Sequence, residues 1–373
     1  MIYVSFFHLL FKIDFLNNKH LYINMSVSLT DQDNTGLLQT YCYDNCKIDD
    51  DDNIKISRGL IYKDNKPFIK SFGFTPEFTT QNIDDENKQY IIDNFKNFRF
   101  FHSVEGTLLR IYWNDVNEKW YISSHKKLDA RNSRWGSKQT FGEIIDTILP
   151  QTFYDTLDKE YCYLFILTPN QDNRIVCNVL MNSLFHVGTY AKDFALSFDF
   201  NINIPRPIEL HFQTYDELCD YVDSQEFKYM CYQGIIICDV PKQSNIKILN
   251  SNYNNLKNIR GNTPSIMFRY LEVRHDEDFK QALISMFPNH VQKFQQYEMF
   301  INKLTTKLFN EYMKRYIKKQ FTTIVSNEHY ILKLAHAWHC EDRETNKISE
   351  NKIYEIINKQ TPVVINSLIK QYK

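Results

Sequence analysis

HSVEGTLLRIYWNDVNEKWYISSHKKLDA, residues 102–130, holds two runs in which apolar and polar residues alternate around a short acidic turn. The spacing predicts a strand ending at His102, a turn through Glu105 and Gly106, and a second strand, TLLRIYW, that leaves it as a hairpin, with KWYISSH as a further strand. Period-two alternation marks half-buried antiparallel strands, and glycine suits a tight turn. Trp113, Trp120 and Tyr121 are expected to pack across those strands. His125 is expected on the surface at a strand end, and an exposed aromatic beside Lys126 would be able to stack a base.

Working outward, short β-rich runs continue from Ile56 to about Leu271: GLIYK, CYLFILT, RIVCNVL and QGIIICDV. Helices are predicted over Phe141–Ile148, with Thr140 as N-cap, and over Thr214–Val222, with Leu218 and Tyr221 facing inward. Past Arg274 the apolar spacing turns helical. Phe279, Ala282, Leu283, Met286 and Phe287 form one face, Pro288 limits that helix, and further helices follow over 291–320, 327–340 and from Ser349. The fold class is therefore α+β, a core of antiparallel sheets with helices followed by an all-helical C-terminal domain. The expected divisions are an N-terminal extension over 1–55, solvated and partly flexible with its acidic run Asp49–Asp52, a core over 56–273, and a basic helical domain over 274–373.

Composition narrows the chemistry. With 43% hydrophobic and 24% charged residues, 373 residues make an ordinary globular chain with room for two domains. Nine glycines, with no GxxxxGK[ST] and no GxGxxG, argue against glycine-rich phosphate loops. A net charge of −1 makes any nucleic-acid surface local. Cysteines such as Cys162, Cys177, Cys231 and Cys238 sit in apolar runs and read as reduced thiols of a cytoplasmic protein. Cys42 and Cys46 lack a second pair for zinc, and no metal site is expected. The sequence holds no run long enough for a membrane span. The apolar opening MIYVSFFHLLFKIDF is broken by Lys12 and Asp14 and lacks signal-peptide features; a start at Met25 or an extra edge strand explains it.

Covalent nucleotidyltransferases carry a Lys-x-Asp/Glu-Gly signature, and the SVEG of residues 103–106 resembles it with Ser103 at the lysine's place. Further segments are similar to phage-type RNA ligases. SRGLIYKDNKPFIKSFGFTPEF (57–78) resembles the segment before the nucleophile, with Arg58 at a phosphate-contacting arginine. YLFILTPNQDNRIV (163–176) places Phe165 where that family has a metal-binding glutamate. YMCYQGIIICDV (229–240) places Gln233 at a second glutamate, and NIKILN (245–250) keeps Lys247 but has Leu249 at a second lysine. The resemblance covers roughly 190 residues and implies an ATP-grasp-like RNA-ligase core of the nucleotidyltransferase type.

That resemblance implies a degenerate member that binds RNA ends or a nucleotide without ligation. Arg58, Glu105, Gly106, Gln233 and Lys247 would be nucleotide-binding, and ATP or GTP with Mg²⁺ would be the cofactor of any remaining activity. An active enzyme with a displaced nucleophile, a structural viral protein keeping only the fold, and a solvated ion-pair cluster around Arg58, Glu105 and Lys247 stand as alternatives. His102 is expected to point away from the side of Ser103. Lys126 and Lys127 are expected RNA contacts, as are Lys307, Lys314, Arg315, Lys318 and Lys319 of INKLTTKLFNEYMKRYIKKQ (301–320), whose buried face is expected to be Leu304, Leu308, Tyr312 and Ile317. HAWHCEDR (336–343) is read as a helix end packed by Trp338 and not as a metal site. Together with RYLEVR and FPNH it is similar to proteins of large DNA viruses, which implies host cytoplasm or virion as the location.

Overall fold

The computed structural model describes residues 26–170, 174–224 and 232–372. The expectations for the apolar opening and for Cys231 lie outside them. The chain divides into a sheet-rich unit, 1–171 with 177–254, and a helical unit, 172–176 with 255–373. The boundary expected at 273/274 falls inside the helical unit.

Within the stretch expected as a partly flexible extension, residues 27–56 carry regular structure. Strands β1 (Val27–Gln32) and β2 (Leu38–Tyr43) join β3 (Arg58–Lys63) and β4 (Lys66–Ile69) in a four-stranded antiparallel sheet. Within polar surroundings, Leu38, Thr40 and Cys42 alternate inward along β2. The acidic run ends as a cap: the Asp51 carboxylate accepts from the Asn53 N–H and starts helix α1 (Asp52–Ile56). Asp64 and Asn65, both left-handed, make the turn from β3 to β4, and Lys66 and Pro67 open the return strand.

Two five-stranded sheets follow. One has the order β12-β6-β13-β14-β5, built from Glu209–Leu210, Phe98–Val104, Tyr232–Asp239, Ser244–Leu249 and Glu77–Thr79. The other runs β11-β10-β9-β7-β8, from Leu196–Ser197, Ser183–Tyr190, Cys162–Thr168, Thr107–Asn114 and Lys119–Ser123. The hairpin expected across Glu105–Gly106 is not formed; β7 pairs instead with β8, with Trp113 opposite Trp120 and their rings 5.5 Å apart. Strand β6 runs past His102 to Val104 and belongs to the other sheet, so Glu105–Gly106 is a corner between sheets.

Alternation decides which side chains share a face. Phe98, Phe100, Ile235, Ile237, Ile246 and Ile248 pack under α2 (Asp85–Asn94) and α4 (Tyr215–Ser224), where Leu218 is buried and Tyr221 half-buried as expected. In the second sheet, Leu109, Tyr163, Phe165 and Leu167 face α3 (Phe141–Asp146). Thr140 closes the front of α3 in a reciprocal capping box with Glu143. Leu164, Tyr112 and Tyr190 point the other way, onto Leu38, Ile61 and Phe72.

The helical unit holds α6 (Ile266–Val273), α7 (Glu277–Met286), α8 (Val291–Tyr312), α9 (Ser326–Glu341), α10 (Glu350–Asn358) and α11 (Pro362–Leu368), and helix α5 (Ser251–Arg260) leads into it. The long helix expected to reach 320 is α-helical only to Tyr312 and then widens into a π turn over Met313–Ile317. That turn leaves Ile317 half exposed, where a buried residue was expected. Phe279 likewise lies outside the face formed by Leu283 and Phe287. Thr361 and Pro362 split the last expected helix into α10 and α11. Among the described residues no helix is long and apolar enough to cross a membrane.

Arg274, 6% exposed, ties three helices together: it pairs with Glu298 of α8 and with Asn358 and, at 2.7 Å, the Tyr354 hydroxyl of α10. Burial alone would raise the Glu298 carboxyl, but the Arg274 guanidinium and the Tyr270 hydroxyl outweigh it and hold the group below the ordinary carboxylate range. The pair therefore contributes its full stability above about pH 4.3 and loses it as pH falls through the lowered value. Glu298→Gln should destabilise the helical unit by about 3 kcal/mol at pH 7, since it leaves the buried guanidinium without its counter-charge. It should also flatten the acid limb of urea-unfolding stability between about pH 5 and pH 3; an acid limb as steep as in the wild type would refute the assignment. For the corner between sheets, a Cβ on Gly106 would lie 2.5 Å from the Leu167 carbonyl oxygen and 2.6 Å from Ile166 Cγ2. Gly106→Ala should cost roughly 1–3 kcal/mol in the same measurement, against little more than 1 kcal/mol for Gly36→Ala, where no atom lies within 4 Å.

Candidate functional site

The face of the first sheet opposite its helices carries Ser103, Gly234 and Leu249 in one row across β6, β13 and β14. The next row is Phe101, Ile236, Lys247 and Glu77. Strand spacing places Ser103 and Lys247 about 12 Å apart on this face. Ser103 is 3% exposed. Among the described residues no hydrogen bond of its hydroxyl to a histidine or carboxylate is found. His102 points to the opposite face, as alternation requires. Its Nε2 lies 2.6 Å from the Tyr221 hydroxyl, its ring 4.1 Å from that of Tyr232, and burial holds it below the usual imidazole value.

Glu105 turns inward from the corner. Its Oε2 accepts from the Cys177 N–H at 3.0 Å and from the Tyr253 hydroxyl at 2.9 Å. Burial and the Glu105 charge push the Tyr253 phenol far above its ordinary value, so it stays a donor. Glu77 is charged alongside Tyr253 and pairs with Lys247 at 3.0 Å. Glu105 with Tyr253 and Glu77 with Lys247 thus form two polar pairs, and the Glu77 charge acts on Tyr253. Gln233, buried, donates its amide to the Val104 carbonyl at 3.0 Å and ties β13 to the end of β6. Gly106 serves close approach to β9 and has no left-handed backbone, so the reason for glycine here is space and not turn conformation.

Arg58 belongs to another group. Its guanidinium donates to the Gly73 carbonyl at 3.3 Å. Gly59, with φ +75, lets β3 pass so near the end of β8 that a Cβ would meet His125 Cα at 2.7 Å. His125 is accordingly half-buried, not a surface residue; burial, with Arg58, Arg110 and Lys126 nearby, holds it neutral well below the usual imidazole value. Arg110, 1% exposed, donates to the Gly59 carbonyl and, at 2.7 Å, to the Ser124 carbonyl. Lys126 is exposed here, whereas Lys127 reaches Asp31 at 3.4 Å. Arg58 and Lys126 thus both act electrostatically on His125.

Sequence reasoning missed Lys70. It follows β4, its amine lies 5.6 Å from the centre of the Tyr190 ring, and burial holds it below the ordinary lysine value. Among the described residues no carboxylate pairs with it. Tyr190 has a buried hydroxyl without a partner, and so does Ser71, the next residue. The second lysine of KPFIK, flanked by apolar residues on both sides, was the available signal.

The Phe165 ring lies in the core, 6.5 Å from Phe153 and 5.5 Å from His186, on the face away from Leu164 and Tyr190. Among the described residues no group of three or more His, Cys, Asp or Glu is placed to hold a metal. In the helical unit, His336 stacks on Tyr316 at 4.1 Å and approaches Cys340 Sγ at 3.6 Å, His339 meets the Asn346 carbonyl at 2.6 Å, and Lys352 covers Trp338 at 4.0 Å. The expected basic stripe divides as well: Lys307 pairs with buried Glu328 at 2.7 Å and Lys314 with Glu311 at 3.0 Å. Arg315, Lys318 and Lys319 have no acid partner among the described residues.

No protein-family model matches the chain. It is 26% identical over 354 residues to the immediate-early protein ICP-46 homolog of Invertebrate iridescent virus 6, covering 84% of this chain and 76% of that protein. It is 27% identical over 280 residues to the protein of the same description from Invertebrate iridescent virus 3, covering 71% of this chain and 61% of that one. Among solved structures it is similar to a putative ATP-dependent DNA ligase from Aquifex aeolicus, with a TM-score of 0.43 and 12% identity over 70% of this chain and 67% of that one. It is also similar to an archaeal ATP-dependent RNA ligase, with a TM-score of 0.40 and 11% identity over 73% and 68% of the two chains. At these scores no residue correspondence is carried over from the ligases. The chain is thus similar to viral ICP-46 homologs, and it has antiparallel sheets and a helical C-terminal part.

Proposed function

We propose that this protein binds a nucleotide or the end of an RNA strand on a nucleotidyltransferase-type core and does not join strands, acting in the infected-cell cytoplasm or in the virion. The observation that carries the reading is Ser103, a buried hydroxyl at the place where the resemblance calls for an amine. A serine attacking an α-phosphate needs a base to take its proton. His102 lies on the other face, and the Glu105 Oε2 is engaged by Tyr253 and Cys177. Anion binding asks for less. Lys70, Arg58 and Lys126 offer positive charge that no carboxylate neutralises among the described residues, and Lys247 offers more beside Glu77. ATP or GTP with Mg²⁺ is the proposed ligand, its phosphates taken by these cations.

Lys70 also favours a second reading. A desolvated amine without a counter-ion is the state from which lysine attacks phosphorus, so it is the candidate displaced nucleophile.

Incubation with ATP or GTP labelled at the α-phosphate, with Mg²⁺, followed by denaturing electrophoresis separates the readings. Binding alone predicts nucleotide retained in equilibrium dialysis and no label on the denatured chain. Lys70→Ala should weaken that retention about 10- to 100-fold, the loss of one charge-assisted phosphate contact. A label that survives denaturation and maps to Lys70 would establish the second reading in place of the first. Absence of retention for both nucleotides and for short RNA at low salt would refute binding by the core.

A further inference from the structure

The end of α8 is built unlike the other helix ends. The π turn over Met313–Ile317 is closed by the Lys318 N–H on the Met313 carbonyl at 2.9 Å and the Gln320 N–H on the Lys314 carbonyl at 3.0 Å. Between them Lys319 is left-handed, with φ +54, a conformation that glycine or asparagine would hold at lower cost. From Tyr312 to Asn327 the sequence has Lys314, Arg315, Lys318 and Lys319 and no acid. Just past the turn, Phe321 is 96% exposed. Tyr330 on α9 is 50% exposed, and Lys333 and Arg315 both act on His329 between them. Phe321 is an aromatic ring held almost wholly in water, near in sequence to cations that lack acid partners among the described residues.

We infer that this turn is a docking surface for single-stranded nucleic acid, in which Phe321 stacks an unpaired base and Arg315, Lys318 and Lys319 take the flanking phosphates. The inference rests on the RNA-binding reading above and makes it specific: the ligand is a strand with free base faces, and the contact lies in the helical unit. Charge complementarity selects a polyanion. The ring selects among polyanions, because a base in a duplex hides both faces against its neighbours while an unpaired base offers them for stacking. Stacking is tolerant of sequence, so the surface should not discriminate strongly among bases.

Fluorescence anisotropy of the full chain with a labelled 12-nucleotide RNA, single-stranded and as a duplex, tests this. Single strand should bind more tightly than duplex. Phe321→Ala should weaken single-strand binding about 5- to 100-fold and leave duplex binding nearly unchanged, and Phe321→Trp should restore it. Lys319→Gly separates charge from folding: it should keep or raise the thermal midpoint yet lower affinity, with a shallower salt dependence. Equal binding of strand and duplex, or an unchanged Phe321→Ala affinity, would overturn the inference while leaving RNA binding by the core standing. If the wild type binds no RNA, both RNA readings fall, and nucleotide dialysis alone then judges the core. Binding to vesicles of phosphatidylcholine and phosphatidylserine that depends on Phe321, without oligonucleotide binding, would assign the surface to lipid and also overturn it.

Discussion

The sheet-rich unit depends on a corner of two residues. Glu105–Gly106 takes the chain from the last residue of β6 to the first of β7, out of one sheet and into the other. Gly106 must be a glycine because the β9 backbone passes where a Cβ would stand. Glu105 must be satisfied because it is 9% exposed, and an unpaired buried carboxylate costs several kcal/mol. The Cys177 N–H and the Tyr253 hydroxyl satisfy it, and both come from distant parts of the chain. One carboxylate thus fixes where the corner sits, where the chain after β9 returns, and where α5 begins. Ser103, two residues before, is placed by the same constraint.

This explains which parts of the fold were legible. The β7–β8 hairpin declares itself through two-residue alternation and a facing pair of tryptophans, both local signals. The capping box before α3 is likewise written in four consecutive residues. The corner is not local. Nothing in SVEGTLL says that its two strands separate into different sheets, since a hairpin and a corner share the same alternation and the same glycine. Strands β1 and β2 were hidden for a related reason: their polar outer faces and acidic neighbours read as solvent-exposed chain, and only pairing with β3 gives Leu38 and Cys42 something to bury against. The π turn after Tyr312 was invisible because one extra residue per turn shifts Ile317 off the buried face without altering composition.

The candidate site was legible in identity and not in partnership. Sequence singles out Arg58, Glu105, Gln233 and Lys247 by their positions in a resemblance, but whether a charge is spent on its own fold depends on neighbours far along the chain. Glu105 holds Tyr253, Gln233 holds a carbonyl of β6, and Lys247 has Glu77 opposite in a parallel pairing. Phe165 is likewise spent on the fold, its ring packed in the core against Phe153 and His186.

Lys70 inverts that pattern, since no motif marks it while its surroundings do. A lysine amine out of water without a carboxylate is disfavoured in its charged form, and the neighbouring Tyr190 and Ser71 hydroxyls, buried and unpartnered, carry a further cost. A fold at ease with itself would replace such residues by apolar ones of similar size, because an unsatisfied polar group costs about 1–3 kcal/mol more than none. An anion reaching this amine would supply the counter-charge that the lysine lacks. The Glu105 group needs no ligand to be satisfied. Unpartnered buried polar atoms also occur elsewhere in the sheet-rich unit, at Thr40, Asn114 and Thr168 among others, so what sets Lys70 apart is a half-buried charge with no carboxylate beside it among the described residues.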